Sequence, residues 1–122
     1  MKPARALAVF VVASGGIRVR VRVLPTVADV DAEYRTGRTR RNGKTRHAFF
    51  KGSTRPARCA GTIVLPAKGR LPELVPHEAC HVDTHCFGDV VERDDEDHAR
   101  RVGLLSARIF AELRRRGVEV KP

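Results

Sequence analysis

The stretch PHEACHVDTHCFG at residues 76–88 predicts a helix that carries an HExxH motif, HEACH, at residues 77–81. On a helix, His77 and His81 lie one turn apart on the same face, so both imidazoles can reach one zinc ion. Glu78 lies beside them, within reach of a water molecule at that metal, and can act as a general base. A five-residue pattern also arises by chance, so its interpretation depends on the elements around it.

Two prolines complicate the start of this helix. A helix that begins near Pro72 would contain Pro76 in its interior and would be kinked there. A helix with Pro76 in its first turn avoids this problem. We therefore predict that the helix begins at Pro76, and Gly88 is its natural end.

A catalytic zinc ion usually has three protein ligands and one open position. His85 is a poor third ligand, because it lies about 12 Å from His77 along a straight helix. Glu96 is the better candidate, since it opens a predicted final helix with the sequence EDHA at residues 96–99.

The spacing of small residues supports Glu96. Ala99 and Gly103 are predicted to lie on one side of the final helix, where their small size would let it approach the motif helix closely. Glu96 could then reach the metal. Asp95 and His98 are the alternative third ligands.

The order of elements resembles that of the minimal gluzincin-type zinc metallopeptidases, small single-domain proteins of phage and bacteria. The resemblance covers residues 17–113 and is specific in HEACH and in EDHARRVG at residues 96–103. It implies zinc held by His77, His81 and Glu96, with Glu78 as the base. It also implies one small zincin-like α+β domain over residues 1–122, with a short mixed or antiparallel sheet packed against the motif helix and a C-terminal helix that carries the third ligand.

Peptide hydrolysis also needs a donor for the oxyanion that develops on the scissile carbonyl. The sequence offers several candidates without choosing among them: His98, His85, Tyr34 and a loop arginine. Three acids could orient a ligand histidine by accepting a hydrogen bond from the ring nitrogen that does not bind the metal: Asp83, Asp89 and Asp94.

The rest of the chain supplies a sheet and two more helices. Residues 17–23 alternate valine or isoleucine with arginine, which predicts a half-buried strand with a cationic outer face. The apolar run at residues 6–13 follows Lys2 and Arg5 and could pass for a very short signal peptide. We favour a buried first strand, joined to residues 17–23 by the turn Ser14-Gly15-Gly16. Further predictions are a helix capped by Thr26, a basic loop at 35–46, strands at 47–51 and 58–66, an acidic loop at 89–95, and a helix at 94–116.

Length and composition limit the function classes. The 122 residues fit one domain, with no apolar run long enough to cross a membrane. Three cysteines at no disulfide-framework spacing favour a reducing compartment, so we expect a cytoplasmic protein. The net charge of +10 attracts polyanions, although arginine also fills ordinary surface positions.

Three functions are therefore open. The first is a zinc-dependent peptidase acting on a peptide or protein. The second is a zinc-stabilised basic module that binds nucleic acid or a protein, with Cys80, Cys86 or His85 as a fourth ligand. The third is a peptidase tethered to DNA that resembles Spartan-like proteins, whose third ligand is a histidine, here His98.

Overall fold

The segment at residues 17–23, in which apolar residues alternate with arginine, lies in the second strand of a four-stranded mixed sheet. Three helices complete the described part of this small α+β domain. The computed structural model describes residues 4–36, 45–88 and 95–121. Its elements are β1 (Ala8–Ser14), β2 (Ile17–Leu24), α1 (Val27–Arg35), β3 (Phe49–Gly52), β4 (Gly61–Pro66), α2 (Leu71–Phe87) and α3 (Asp95–Arg115). Most of the predicted basic loop, and all but the last residue of the acidic loop, lie outside the described residues.

The sheet has the strand order β1-β2-β4-β3, in which β2 and β4 are parallel and the other neighbours are antiparallel. The predicted hairpin between β1 and β2 is confirmed. Gly15 and Gly16 form its turn with φ angles of +57° and +82°, a conformation that glycine adopts without steric penalty.

The core lies between one face of the sheet and helices α2 and α3. Val19, Val21 and Val23 of β2 are completely buried there, and burial of each contributes about 1.5–3 kcal/mol. The helices add these buried side chains: Leu71, Val75, Ala79, Val82, Leu105, Ile109 and Leu113. The apolar residues that alternate along β2 thus pack against the apolar residues of α2 and α3 in one layer.

The first strand is buried on one face only. Phe10 and Val12 belong to the core, whereas Val9 and Val11 are about half exposed. The prediction of a buried first strand is therefore confirmed for one face only. β1 is at the edge of the sheet, and Val30 of α1 packs on Leu24 of β2.

Helix α1 begins at the predicted cap, Thr26, which forms a capping box with Asp29. The Thr26 hydroxyl accepts a hydrogen bond from the Asp29 backbone N–H, and the Asp29 carboxylate accepts one from the Thr26 N–H. These bonds satisfy two backbone donors that a helix start leaves unpaired. The helix packs on the sheet face opposite α2, where Val30 contacts a small cluster with Leu24 and Val64.

Helix α2 begins five residues earlier than predicted. It starts at Leu71 and includes Pro76 in its interior. The missing N–H of Pro76 removes one hydrogen bond from the helix. Leu71 and Val75 are completely buried, and their packing against the sheet stabilises the first turn despite that loss. The predicted end at Gly88 is confirmed, with a φ angle of +87°.

Helix α3 turns a different face to α2 than the sequence suggested. Ala99 and Gly103 are exposed, and a Cβ built on Gly103 would meet no neighbouring atom within 4 Å. The predicted close approach through these small residues was therefore wrong. His98 and Arg101 contact α2 instead, while Leu105 completes the core.

Replacing Gly103 with Ala should raise the free energy of unfolding by about 0.5–1 kcal/mol, because glycine is a poor residue for a helix interior. Urea unfolding of both proteins measures the difference. A loss of stability would instead place Gly103 in a tight helix contact and contradict the exposed position described above.

Candidate functional site

The two motif histidines lie side by side on the exposed face of α2. Their Nε2 atoms are 3.2 Å apart, and the ring centroids are separated by 4.8 Å at an interplanar angle of 80°. The side chain of His77 is 67% exposed. Both imidazoles therefore direct the same nitrogen toward one accessible point.

This arrangement fits a shared zinc ion. Two nitrogens bound tetrahedrally at 2.0–2.1 Å are separated by about 3.4 Å, close to the observed 3.2 Å. Partial desolvation, followed by the charge of His77, lowers the pKa of His81. Its imidazole is therefore more readily neutral, which is the form that binds a metal.

Glu78 lies beside the histidines and is almost completely buried. Its residue is 4% exposed, and its carboxylate is 4.0 Å from His77 Nε2. Burial raises the pKa of Glu78, although the positive charges of His77 and Arg46 partly oppose the increase. A carboxylate whose pKa is raised in this way is a stronger base than an exposed one.

The three motif residues line an open groove of about 590 Å³. Strand β3 forms one wall with Phe49, Phe50 and Gly52. The groove also contains two of the donors predicted from the sequence, Tyr34 and His85, so distant parts of the chain meet at the motif. Strand β3 is the last strand of the sheet in the described residues, which leaves its outer edge beside this groove.

Arg46 also lines the groove, and the sequence did not single it out from the other loop arginines. Its backbone N–H donates to Asp31 of α1 at 2.8 Å, and its guanidinium lies 4.8 Å from the centre of the Tyr34 ring. Its buried Nε has no hydrogen-bond partner in the described residues. The guanidinium of Arg46 thus places a cation at the wall of the groove.

His85 is less available as a donor. Its Nε2 is 2.8 Å from the backbone carbonyl of Ser53, and its ring packs edge-on against Phe50 with 5.6 Å between centroids. Because a carbonyl can only accept, the Nε2–H of His85 is already used. His85 therefore supports the wall that β3 provides.

The predicted third ligand is not assembled with the histidines. Glu96 lies on the first turn of α3 and is exposed. Among the described residues, no group of three or more His, Cys, Asp and Glu side chains is arranged to hold a metal ion. The side chain of Asp95, an alternative ligand, and both Asp89 and Asp94 lie outside the described residues.

His98 belongs to a different cluster between α2 and α3. Its Nδ1 is 2.6 Å from the Asp83 carboxylate and its Nε2 is 3.3 Å from Cys80 Sγ. Arg101 donates to the same carboxylate at 2.6 and 3.1 Å. Asp83 is 1% exposed. In this structure, Asp83 therefore joins α3 to α2, and His98 does not line the groove of the motif.

The three cysteines are free thiols. Burial, followed by the charges of Asp83 and Cys59, raises the pKa of Cys86. Such a thiol stays protonated and is a weak ligand and nucleophile.

None of the helices in the described residues has both the length and the apolar character that crossing a membrane requires. Comparison of the chain with protein-family models, with curated proteins and with solved structures finds no match in any of the three.

Proposed function

We propose that this chain is a small zincin-like peptidase that binds zinc through His77 and His81 and hydrolyses peptide bonds. The observation that carries the proposal is the 3.2 Å separation of the two Nε2 atoms beside a buried glutamate in an open groove. The three free cysteines suit a reducing compartment, so we place the activity in the cytoplasm.

Glu96 is our proposed third ligand. It precedes His98 by two residues on the first turn of α3, and the Asp83–His98 hydrogen bond attaches that turn to α2. Glu96 and His98 are two residues apart and project to different sides of α3, so the first turn would have to rotate or unwind for the Glu96 carboxylate to reach the histidines. Metal binding would supply the free energy for such a change.

Each groove residue has a role in this proposal. Zinc bound to the histidines would lower the pKa of a water molecule and polarise the scissile carbonyl. Glu78 takes the proton of the attacking water and passes it to the leaving amine. Arg46 donates to the carbonyl oxygen as its negative charge develops, with Tyr34 as the neighbouring donor.

The substrate is proposed to be an extended peptide. The outer edge of β3 can pair its backbone with such a strand, as in other complexes where a peptide extends a sheet. The groove is open and about 590 Å³, so it accommodates a short or flexible segment better than a folded protein.

The first test of the proposal is the metal content of the purified protein. We expect one zinc per chain, and no zinc in a His77→Ala, His81→Ala variant. Glu96→Ala should weaken zinc binding by more than the roughly 10- to 100-fold that is typical of a residue that only orients a ligand. Zinc content is measured by mass spectrometry, and affinity by competition with a chelator.

Asp97→Ala is the matched control for Glu96→Ala, because Asp97 is an exposed acid on the same turn. It should bind zinc like the wild type. If Glu96→Ala binds zinc as tightly as this control, the third ligand is another residue. If the wild-type protein takes up no zinc after reconstitution, the proposed function is wrong.

A further inference from the structure

The sheet face opposite α2 and α3 is only partly covered. Helix α1 packs over one end of it, at Val30, Leu24 and Val64. The remaining surface, here called the outer face, consists of β-strand side chains that lie beside or beyond α1. It carries these residues: Val9, Val11, Arg18, Arg20, Arg22, Lys51 and Thr62.

Strand register places the cations of the outer face in rows. Arg18 and Arg20 are alternate residues of β2, so their Cα atoms are about 6.8 Å apart along the strand. Arg20 pairs with Thr62 of β4, and Thr62 pairs with Lys51 of β3. Arg20 and Lys51 therefore lie in one row across the sheet, with one strand between them.

Most of this charge is not neutralised within the described residues. Arg22 forms an ion pair with Glu33 at 3.1 Å. Arg18, Arg20 and Lys51 are exposed and have no ion pair in the described part of the chain. Arg20, Arg22 and Lys51 line a second groove, of about 650 Å³, on the outer face.

Apolar and aromatic groups lie next to these cations. Val9 and Val11 are about half exposed and flank the arginines of β2. Tyr34 and Phe49 line the groove at the end nearest α1 and contact each other edge-on, with ring centroids 5.3 Å apart. The outer face thus combines cations in regular rows with neighbouring apolar and aromatic side chains.

We propose that the outer face binds single-stranded nucleic acid. The rows of Arg18, Arg20 and Lys51 would contact successive phosphates, while Tyr34, Phe49 and the exposed valines would contact the bases. A sheet four strands wide does not enter a duplex groove, which admits a helix or a two-stranded ribbon. A single strand can lie flat across such a face and expose its bases to it.

An acidic protein segment would also be attracted by the charge. It lacks the flat bases of a nucleic acid, which can contact the exposed valines and the neighbouring Tyr34 and Phe49 as well as the cations, and this is why nucleic acid is favoured. Tyr34 and Phe49 also line the groove of the motif, so a bound strand would reach close to it. The proposal does not depend on peptidase activity, because its test contains neither zinc nor a peptide substrate.

The test is fluorescence anisotropy with a labelled oligothymidylate of about 15 nucleotides, within the site sizes of known single-strand binders. The full-length chain is compared with an Arg18→Gln, Arg20→Gln, Lys51→Gln variant between about 50 and 200 mM salt. Loss of three phosphate contacts should weaken binding by about 100-fold at 0.1 M salt. It should also reduce the slope of log K against log salt by about 2, at about 0.7 per contact.

A variant with Arg58→Gln, Lys68→Gln and Arg114→Gln is the matched control. These cations are exposed and lie outside the outer face, and the variant loses the same three charges. It should lose less than about threefold in affinity, because distant charges are screened at this salt concentration. Both variants are first shown to unfold at the wild-type temperature.

Three results would overturn the proposal. Equal loss of affinity in the two variants would show that net charge alone attracts the oligonucleotide. Tighter binding of a duplex of the same length would contradict single-strand binding. Equally tight binding of an oligoglutamate of the same charge, or of vesicles with anionic lipid, would assign the face to another class of partner.

Discussion

Glu78→Gln should reduce peptide hydrolysis by about 10²- to 10⁴-fold, the usual contribution of a positioned general base. Glutamine keeps the size and shape of the side chain at a position that is 4% exposed, so the groove is preserved. It cannot take a proton from water. The loss therefore appears in the rate of the chemical step, while zinc binding stays at the wild-type level.

The measurement combines two readouts on the same protein samples. Zinc-loaded wild type and variant are incubated with a mixture of unstructured peptides, and the products are quantified by mass spectrometry. Zinc content is determined in parallel. This separates a catalytic role of Glu78 from a role in holding the metal.

Glu73→Gln is the matched control, because Glu73 lies on the same helix with 72% of its side chain exposed. It should hydrolyse the peptides at the wild-type rate. A Glu78→Gln variant that binds zinc and keeps full activity would assign the base to another residue. If the wild-type protein binds zinc but cleaves none of the peptides, the site binds metal without peptidase activity.

Local patterns predicted much of this fold. The alternating residues of β2, the capping box at Thr26 and the helix end at Gly88 each depend on a few neighbouring residues, so a sequence reveals them. The start of α2 does not. Its first turn is stabilised by Leu71 and Val75 packing on the sheet, and this tertiary contact outweighs the penalty for Pro76.

The orientation of α3 shows the same limit. Several of its faces carry apolar or small residues, and the face that is buried depends on which helix lies beside it. The helical spacing that starts at Ala99 predicts a buried side that includes Ile109 and Leu113, and both are completely buried. Ala99 itself is exposed, whereas Leu105, which does not belong to that spacing, is completely buried. Helical spacing therefore identified the buried side in the C-terminal part of α3 but not at its start.

The candidate site divides in a similar way. The pairing of His77 and His81 follows from helix geometry, so their spacing in the sequence predicted it. The arrival of Arg46 in the groove depends on where a distant loop folds, and no local pattern reports that. Asp83 did give a signal, because it follows the buried Val75 and Ala79 at helical spacing and so falls on the buried side of α2.

Asp83→Asn should lower the free energy of unfolding of the metal-free protein by about 3 kcal/mol at neutral pH. Removing one partner of a buried ion pair typically costs about 3–5 kcal/mol, and Arg101 and His98 remain 21% and 13% exposed, which places the effect at the low end. Asparagine keeps one acceptor oxygen. Its NH₂ group replaces the second oxygen, and this group is itself a donor that faces the N–H donors of Arg101 and His98.

The effect should depend on pH in a defined direction. Burial by itself raises the pKa of Asp83, but hydrogen bonds from Arg101 and His98 outweigh it, so the pKa is below its ordinary value. A group with a depressed pKa stabilises the folded state above the pKa of the unfolded chain, about 3.9. That stabilisation disappears as the pH falls through the folded pKa. The difference between wild type and variant should therefore shrink in acid.

Urea unfolding from neutral pH to about pH 3 measures both effects. Asp97→Asn is the control, because Asp97 is 61% exposed and its ion pair with Arg100, at 3.4 Å, is at the surface. This substitution should change the free energy of unfolding by less than about 0.5 kcal/mol. A loss for Asp83→Asn no larger than this control would contradict the role of Asp83 in joining α2 to α3. The same bond attaches the turn that carries Glu96, so Asp83→Asn should also weaken zinc binding if Glu96 is the third ligand.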